Sequence, residues 1–68
     1  MTVDSKLKQT IAGLRNVQGT LRVYSSQVSE EESKGAYKEA SEITGQVIVD
    51  LENRLKKLEF EEPQYKGN

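Results

Sequence analysis

The segment Ser25-Ser26-Gln27-Val28-Ser29-Glu30-Glu31-Glu32 decides the fold, because it interrupts an otherwise continuous helical pattern. Ser29, followed three residues later by Glu32, forms a capping box in which each side chain accepts a hydrogen bond from the backbone N–H of the other residue. Three consecutive glutamates also suit the positive end of the helix dipole. The segment therefore predicts a turn within residues 25–30 and a second helix from Ser29 to Phe60.

On both sides of this turn, apolar residues recur at helical spacing. The first half predicts one helix over residues 4–27, whose stripe consists of Val3, Leu7, Leu14, Val17, Leu21, Tyr24 and Val28, with Thr10 in the remaining slot and Ile11 beside it. The stripe of the second helix consists of Ala36, Ala40, Ile43, Val47, Leu51, Leu55 and Leu58, with Ile48 beside it.

Two helices joined by a short turn pack antiparallel, so the sequence predicts an all-α helical hairpin. The hairpin domain is expected over residues 1–62, and a short C-terminal tail over residues 63–68. Gly45 leaves one alternative open, in which the second segment splits there and the chain forms a three-helix bundle.

Size and composition favour self-association. The chain has 68 residues, of which 34% are apolar, and a chain this small buries about 60% of the surface that it exposes when unfolded. It contains no Cys and no His, so disulfides and the usual zinc sites are excluded. We therefore expect a homodimeric four-helix bundle, in which the residues mostly covered include Leu14, Leu21, Val47 and Leu51.

The same composition argues against an enzyme. Without His or Cys, hydrolytic triads and Cys–His pairs are excluded, and we predict no catalytic residue, cofactor or metal. No apolar run of about 18 residues is present to span a membrane, and the N-terminus lacks the apolar core of a signal peptide, which predicts a cytoplasmic protein. The net charge of -1 argues against binding of nucleic acid.

A basic face repeats every seven residues along the first helix. It consists of Lys8, Arg15 and Arg22. Such a face can bind an anionic membrane surface peripherally, which is the alternative function that the sequence leaves open. The favoured interpretation is ion pairing with the second helix, in which Arg15 lies near Glu39 or Glu42 and Lys8 lies near Asp50.

The second helix is predicted to extend beyond the first. A turn near residue 28 places residue i of the first helix opposite about residue 57 - i of the second, so Val3 lies opposite about residue 54. The candidate interaction residues in this overhang are Leu58, Phe60, Pro63 and Tyr65. We expect them to contact a second chain, either a symmetry mate or a membrane-protein partner, and the alternative is that Met1 and Val3 fold over them.

Two stretches carry a resemblance to a known family. They are Met1-Thr2-Val3 with Lys8-Gln9-Thr10-Ile11-Ala12-Gly13-Leu14, and Glu61-Glu62-Pro63-Gln64-Tyr65-Lys66-Gly67. In these stretches the sequence is similar to the domain of unknown function family 1657, which consists of short proteins of spore-forming Firmicutes associated with stage V sporulation operons.

The resemblance implies a sporulation-associated accessory protein that supports a spore-membrane assembly, in the forespore or at the inner face of the spore membrane. It brings no enzymatic activity, cofactor or catalytic residue. Together with the predicted hairpin, it favours a non-enzymatic helical interaction module whose partners are a second copy of itself and a spore-membrane protein.

Overall fold

The computed structural model of the protein describes residues 3–61. They form two α-helices, α1 (Val3–Gln27) and α2 (Glu31–Glu61), joined by residues 28–30. The two helices pack along each other as an antiparallel hairpin. Since α2 runs without interruption through Gly45, the all-α hairpin is confirmed and the three-helix alternative is wrong.

The turn lies where the sequence predicts it, but a different residue caps α2. The backbone N–H of Lys34 donates to the carbonyl of Glu30 at 3.0 Å, which makes Glu30 the N-cap residue. The Glu30 carboxylate in turn accepts a hydrogen bond from the Ser33 hydroxyl. The predicted capping box on Ser29 is therefore wrong, because the N-cap lies one residue later than expected and the helix begins at Glu31.

The residues between the two helices, which we call the seam, follow heptad spacing. On α1 and the turn, the seam consists of Asp4, Leu7, Ile11, Leu14, Gln18, Leu21, Ser25 and Val28. On α2 it consists of Tyr37, Ser41, Thr44, Ile48, Leu51, Leu55 and Leu58. Within residues 3–61 the fully buried apolar side chains are Ile11 and Ile48, which are 7% and 5% exposed.

On both helices part of the seam is shifted by one residue from the predicted stripe, while the leucines belong to both. On α1, Gln18 faces α2 and Val17 stays exposed, while on α2 Ile48 is buried and Val47 stays 43% exposed. The single hairpin therefore leaves Val47 uncovered, and the prediction that Val47 is covered concerns the four-helix bundle and stays a prediction. The cause is that the apolar arc of each helix is wider than one neighbouring helix can cover.

The helices also overlap further than predicted. Lys8 forms an ion pair with Glu59, so the beginning of α1 lies beside the last turns of α2. Leu58 is a half-buried seam residue, and the prediction that it projects beyond α1 is wrong, because the turn is centred one residue later than assumed. Phe60 points outward and is 86% exposed. Outside the described residues lie Pro63, Tyr65 and the whole predicted tail.

Candidate interaction surfaces

The two long sides of the hairpin carry different chemistry. In an antiparallel pair of heptad helices, the positions that directly follow every second seam residue, starting with Leu7 on α1 and Tyr37 on α2, lie on one side. The positions that directly precede the remaining seam residues lie on the other side, and Ile43, four residues before Val47, lies beside them. The first side, which we call the charged flank, carries Lys8, Arg15, Arg22, Lys38, Gly45, Glu52 and Glu59. The second side, which we call the apolar flank, carries Val17, Tyr24, Ala40, Ile43 and Val47.

Two ion pairs cross between the helices on the charged flank. The Arg15 guanidinium donates to the Glu52 carboxylate, and Lys8 Nζ lies 3.4 Å from Glu59 Oε2. Lys8 Nζ also lies 3.1 Å from Oδ2 of Asp4, a carboxylate that is 1% exposed. The interaction with Asp4, and to a smaller extent that with Glu59, raises the pKa of Lys8 above its ordinary value, against an opposing effect of desolvation.

These pairs confirm that cations of the basic face bind acids of α2, but the predicted partners are wrong. Arg15 reaches Glu52, and Asp50 accepts a hydrogen bond from Arg54 Nε on its own helix at 3.2 Å. Exposed pairs of this kind contribute less than about 1 kcal/mol each, so they align the helices more than they stabilise them. Because two of the three cations are paired, the basic face offers an anionic membrane less charge than the sequence suggests.

An open cleft of about 270 Å³ lies on the charged flank near the turn. It is lined by Gln18, Arg22, Ser25, Lys38, Ser41 and Glu42. Two hydrogen bonds from α1 to α2 border it: Gln18 Nε2 donates to the carbonyl of Ser41, and Ser25 Oγ donates to the carbonyl of Lys34, each at 3.2 Å. The cleft therefore lies beside two contacts that join the helices.

The apolar flank forms a patch in the half of the hairpin that contains the turn. Four of its side chains are about half exposed: Val17 (48%), Tyr24 (47%), Ile43 (52%) and Val47 (43%). The Tyr24 ring contacts the ring of Tyr37 edge-on, with the centroids 5.6 Å apart, and this contact holds one border of the patch in place. A clustered apolar patch on so small a protein is typical of an interaction site.

Two other kinds of feature, a membrane-spanning helix and a metal-binding cluster, are absent from residues 3–61. Neither α1 nor α2 is long and apolar enough to cross a membrane. The described Asp and Glu residues include no cluster that could hold a metal ion.

The geometry defines a small all-α helical hairpin with one charged and one apolar flank. The chain belongs to the family described as Protein of unknown function (DUF1657), whose model matches residues 7–55. The match includes the stretch Lys8-Gln9-Thr10-Ile11-Ala12-Gly13-Leu14 and ends before the C-terminal stretch that contributes to the resemblance. No match was found among curated proteins or among solved structures.

Sequence reasoning missed the cleft. A usable signal was present: Arg22 continues the seven-residue repeat of cations on α1, whereas Gly45 interrupts the corresponding repeat of acids on α2. The sequence alone does not show that these two repeats face each other, because this depends on the register of the two helices.

Proposed function

We propose that the protein is a non-enzymatic helical interaction module that self-associates as a homodimer through the apolar flank. One observation carries this proposal: the seam holds polar residues such as Gln18 and Ser25, while the apolar neighbours Val17 and Tyr24 remain exposed beside it. An apolar arc that includes both the seam and one flank is typical of a helix with two neighbours. A second hairpin would supply the missing neighbour.

The free energy that the flank can supply is of the same order as the cost of association. Full burial of a large apolar side chain contributes about 1.5–3 kcal/mol, so covering the exposed half of one contributes about 0.7–1.5 kcal/mol. A two-fold dimer covers each of the four half-exposed side chains twice, which supplies about 6–12 kcal/mol. Since association costs at least about 4 kcal/mol, these contacts leave at most about 8 kcal/mol, so a dimer formed through them has a micromolar or weaker dissociation constant.

Stacking two hairpins on their apolar flanks gives a four-helix bundle with the charged flanks outside. The resemblance to proteins of spore-forming Firmicutes supports a role for this bundle as an accessory of a spore-membrane assembly. Phe60, which is 86% exposed far from the apolar flank, is the candidate contact for the membrane-protein partner.

Sedimentation equilibrium of the wild-type protein tests the proposal. We expect a mass of twice 7.7 kDa at concentrations of about 10–100 μM, dissociating on dilution. A folded monomer throughout this range would refute self-association.

Co-sedimentation with vesicles that contain anionic lipid tests the peripheral-membrane alternative. We expect no salt-sensitive binding, because Lys8 and Arg15 are already paired with acids. Strong binding that falls with rising salt would favour the alternative instead.

A further inference from the structure

The ion pairs of the charged flank form a ladder from which one pair is missing. Lys8 and Arg15 are seven residues apart, and so are their partners, Glu59 and Glu52. Taking the same step once more brings Arg22 opposite position 45, which is occupied by a glycine and not by an acid. Arg22, the third cation of the ladder, therefore has no carboxylate at the position that would continue the repeat.

Gly45 is used for helix packing instead. A Cβ at this position would lie 2.6 Å from Nε2 of Gln18, whereas a Cβ on Gly13, Gly19 or Gly35 would meet nothing within 4 Å. The Gln18 amide occupies the space beside the glycine and donates to the carbonyl of Ser41. Any side chain at position 45, glutamate included, would displace it.

The cleft lies where the missing pair would be. Arg22 and Lys38 both line it, and neither has an ion-pair partner within residues 3–61. Glu42 is the acidic group of the lining, so the lining carries a net charge of +1. Its volume of about 270 Å³ is large enough to admit an acidic side chain.

We propose that this cleft binds a carboxylate, supplied by an acidic side chain of a partner polypeptide, which completes the third ion pair with Arg22. A guanidinium presents two parallel N–H donors that match a carboxylate. The net charge of +1 suits a singly charged carboxylate better than a doubly charged phosphate, and carboxylates already close the other two pairs of the ladder. The cleft and the apolar flank lie on opposite sides of the hairpin, so this site does not depend on the proposed dimer.

NMR titration of the full chain tests the ligand class. The reporters are the side-chain N–H signals of Arg22 and Gln18, and the probes are sodium acetate, a hexaglutamate peptide and inorganic phosphate, at ionic strength held constant with sodium chloride. We expect saturable shifts of both reporters with acetate and with the peptide, and an affinity per carboxylate that is about fivefold higher for the peptide, which also reaches Lys38.

Two outcomes would overturn the assignment. Phosphate saturating the reporters at lower concentration than acetate would contradict the carboxylate class. Equal affinity of acetate and of each peptide carboxylate would contradict a polypeptide source.

Two arginine variants of equal net charge distinguish specific binding in the cleft from general electrostatic attraction of the peptide to the protein. Arg22→Gln should weaken binding of the peptide about fivefold, the upper end for a partly exposed ion pair, while Arg15→Gln should change it less than about twofold. Glu42→Gln should strengthen binding about twofold, because it removes the opposing charge. Equal losses in the two arginine variants would overturn the proposal.

Gly45→Glu supplies the missing carboxylate from within the chain. We expect it to abolish peptide binding and to shift the Arg22 signal in the direction that the peptide does. Circular dichroism is the control that checks whether this variant remains helical after Gln18 is displaced. A folded variant that binds the peptide like wild type would contradict the ladder argument.

Discussion

Replacing Val47 by Asp probes the apolar flank sharply, because α2 offers a matched control two residues away. Val47 is 43% exposed on the apolar flank, whereas Val49 is 56% exposed and lies on the helix face that includes Gly45 and Glu52. In a lone hairpin the two substitutions are nearly equivalent, and each should change the free energy of unfolding by about 1 kcal/mol or less.

In the proposed dimer the two substitutions differ strongly. Covering the remaining 43% of Val47 contributes about 0.6–1.3 kcal/mol, and a two-fold interface loses this contribution twice. Each new carboxylate must also be removed from water without a partner, which costs at least about 1 kcal/mol more. The sum is at least about 3 kcal/mol, so Val47→Asp should raise the dissociation constant at least about 100-fold.

Sedimentation equilibrium over a concentration series measures this constant, and circular dichroism verifies that both variants remain helical. We expect Val47→Asp to be monomeric where the wild type is dimeric, and Val49→Asp to match the wild type. Equal weakening by both variants, or a Val47→Asp dimer as tight as wild type, would show that the apolar flank is not the interface.

Three further changes test other parts of the structure. Gly19→Ala should raise the free energy of unfolding in urea by about 1 kcal/mol, whereas Gly45→Ala should raise it little because its Cβ displaces Gln18. Equal gains from the two variants would contradict the close approach of Gln18 to Gly45. Because the pKa of Lys8 is raised in the folded state, its contribution to stability is fully present below pH 10.5 and is lost as the pH rises through the higher folded value. The difference in free energy of unfolding between wild type and Lys8→Gln should therefore narrow above pH 10.5, and a constant difference would argue against the shared pairing. Phe60→Ser should leave the dimer unchanged in sedimentation, since Phe60 lies far from the apolar flank, and a monomeric variant would place the interface at the end of α2 instead.

The secondary structure was predictable because its signals are local. Helical spacing on both sides of residues 25–30 and the cluster of glutamates predicted two helices and the turn between them, as observed. The N-cap of α2 was missed by one residue because Glu30 can itself serve as the N-cap residue. Such choices between neighbouring caps differ by only about 1 kcal/mol.

The rotation of the helices was not predictable in the same way. On α1 the leucines belong both to the predicted stripe and to the seam, and between Leu14 and Leu21 the two differ in whether Val17 or Gln18 faces α2. Apolarity alone favours Val17. The structure selects Gln18, where it can donate to the carbonyl of Ser41 across the space left by Gly45, and this contact depends on residues 23 to 27 positions apart in the chain.

Ion pairing was predicted as a class but not by partner. The predicted partners on α2 lie several residues before the observed ones. One cause is that a one-residue error in the centre of the turn is doubled in an antiparallel pair. The other is that the long Lys and Arg side chains reach further along the partner helix. Arg15 consequently finds Glu52 and not Glu42. The same error concealed the cleft, because the missing acid at Gly45 becomes evident only in the correct register.

The separation of the two flanks leads to one more testable consequence of the two proposals. In a dimer formed through the apolar flanks, two copies of the cleft face outward, so a surface that displays many acidic side chains can engage both. Two weak contacts joined in this way bind at least about 100-fold more tightly than one. We therefore expect Val47→Asp to lower retention of the protein on immobilised hexaglutamate by about that factor, while the NMR shifts of Arg22 with the free peptide stay unchanged. Unchanged retention would mean that the two clefts do not act together, and loss of the Arg22 shifts would mean that cleft and flank are not independent.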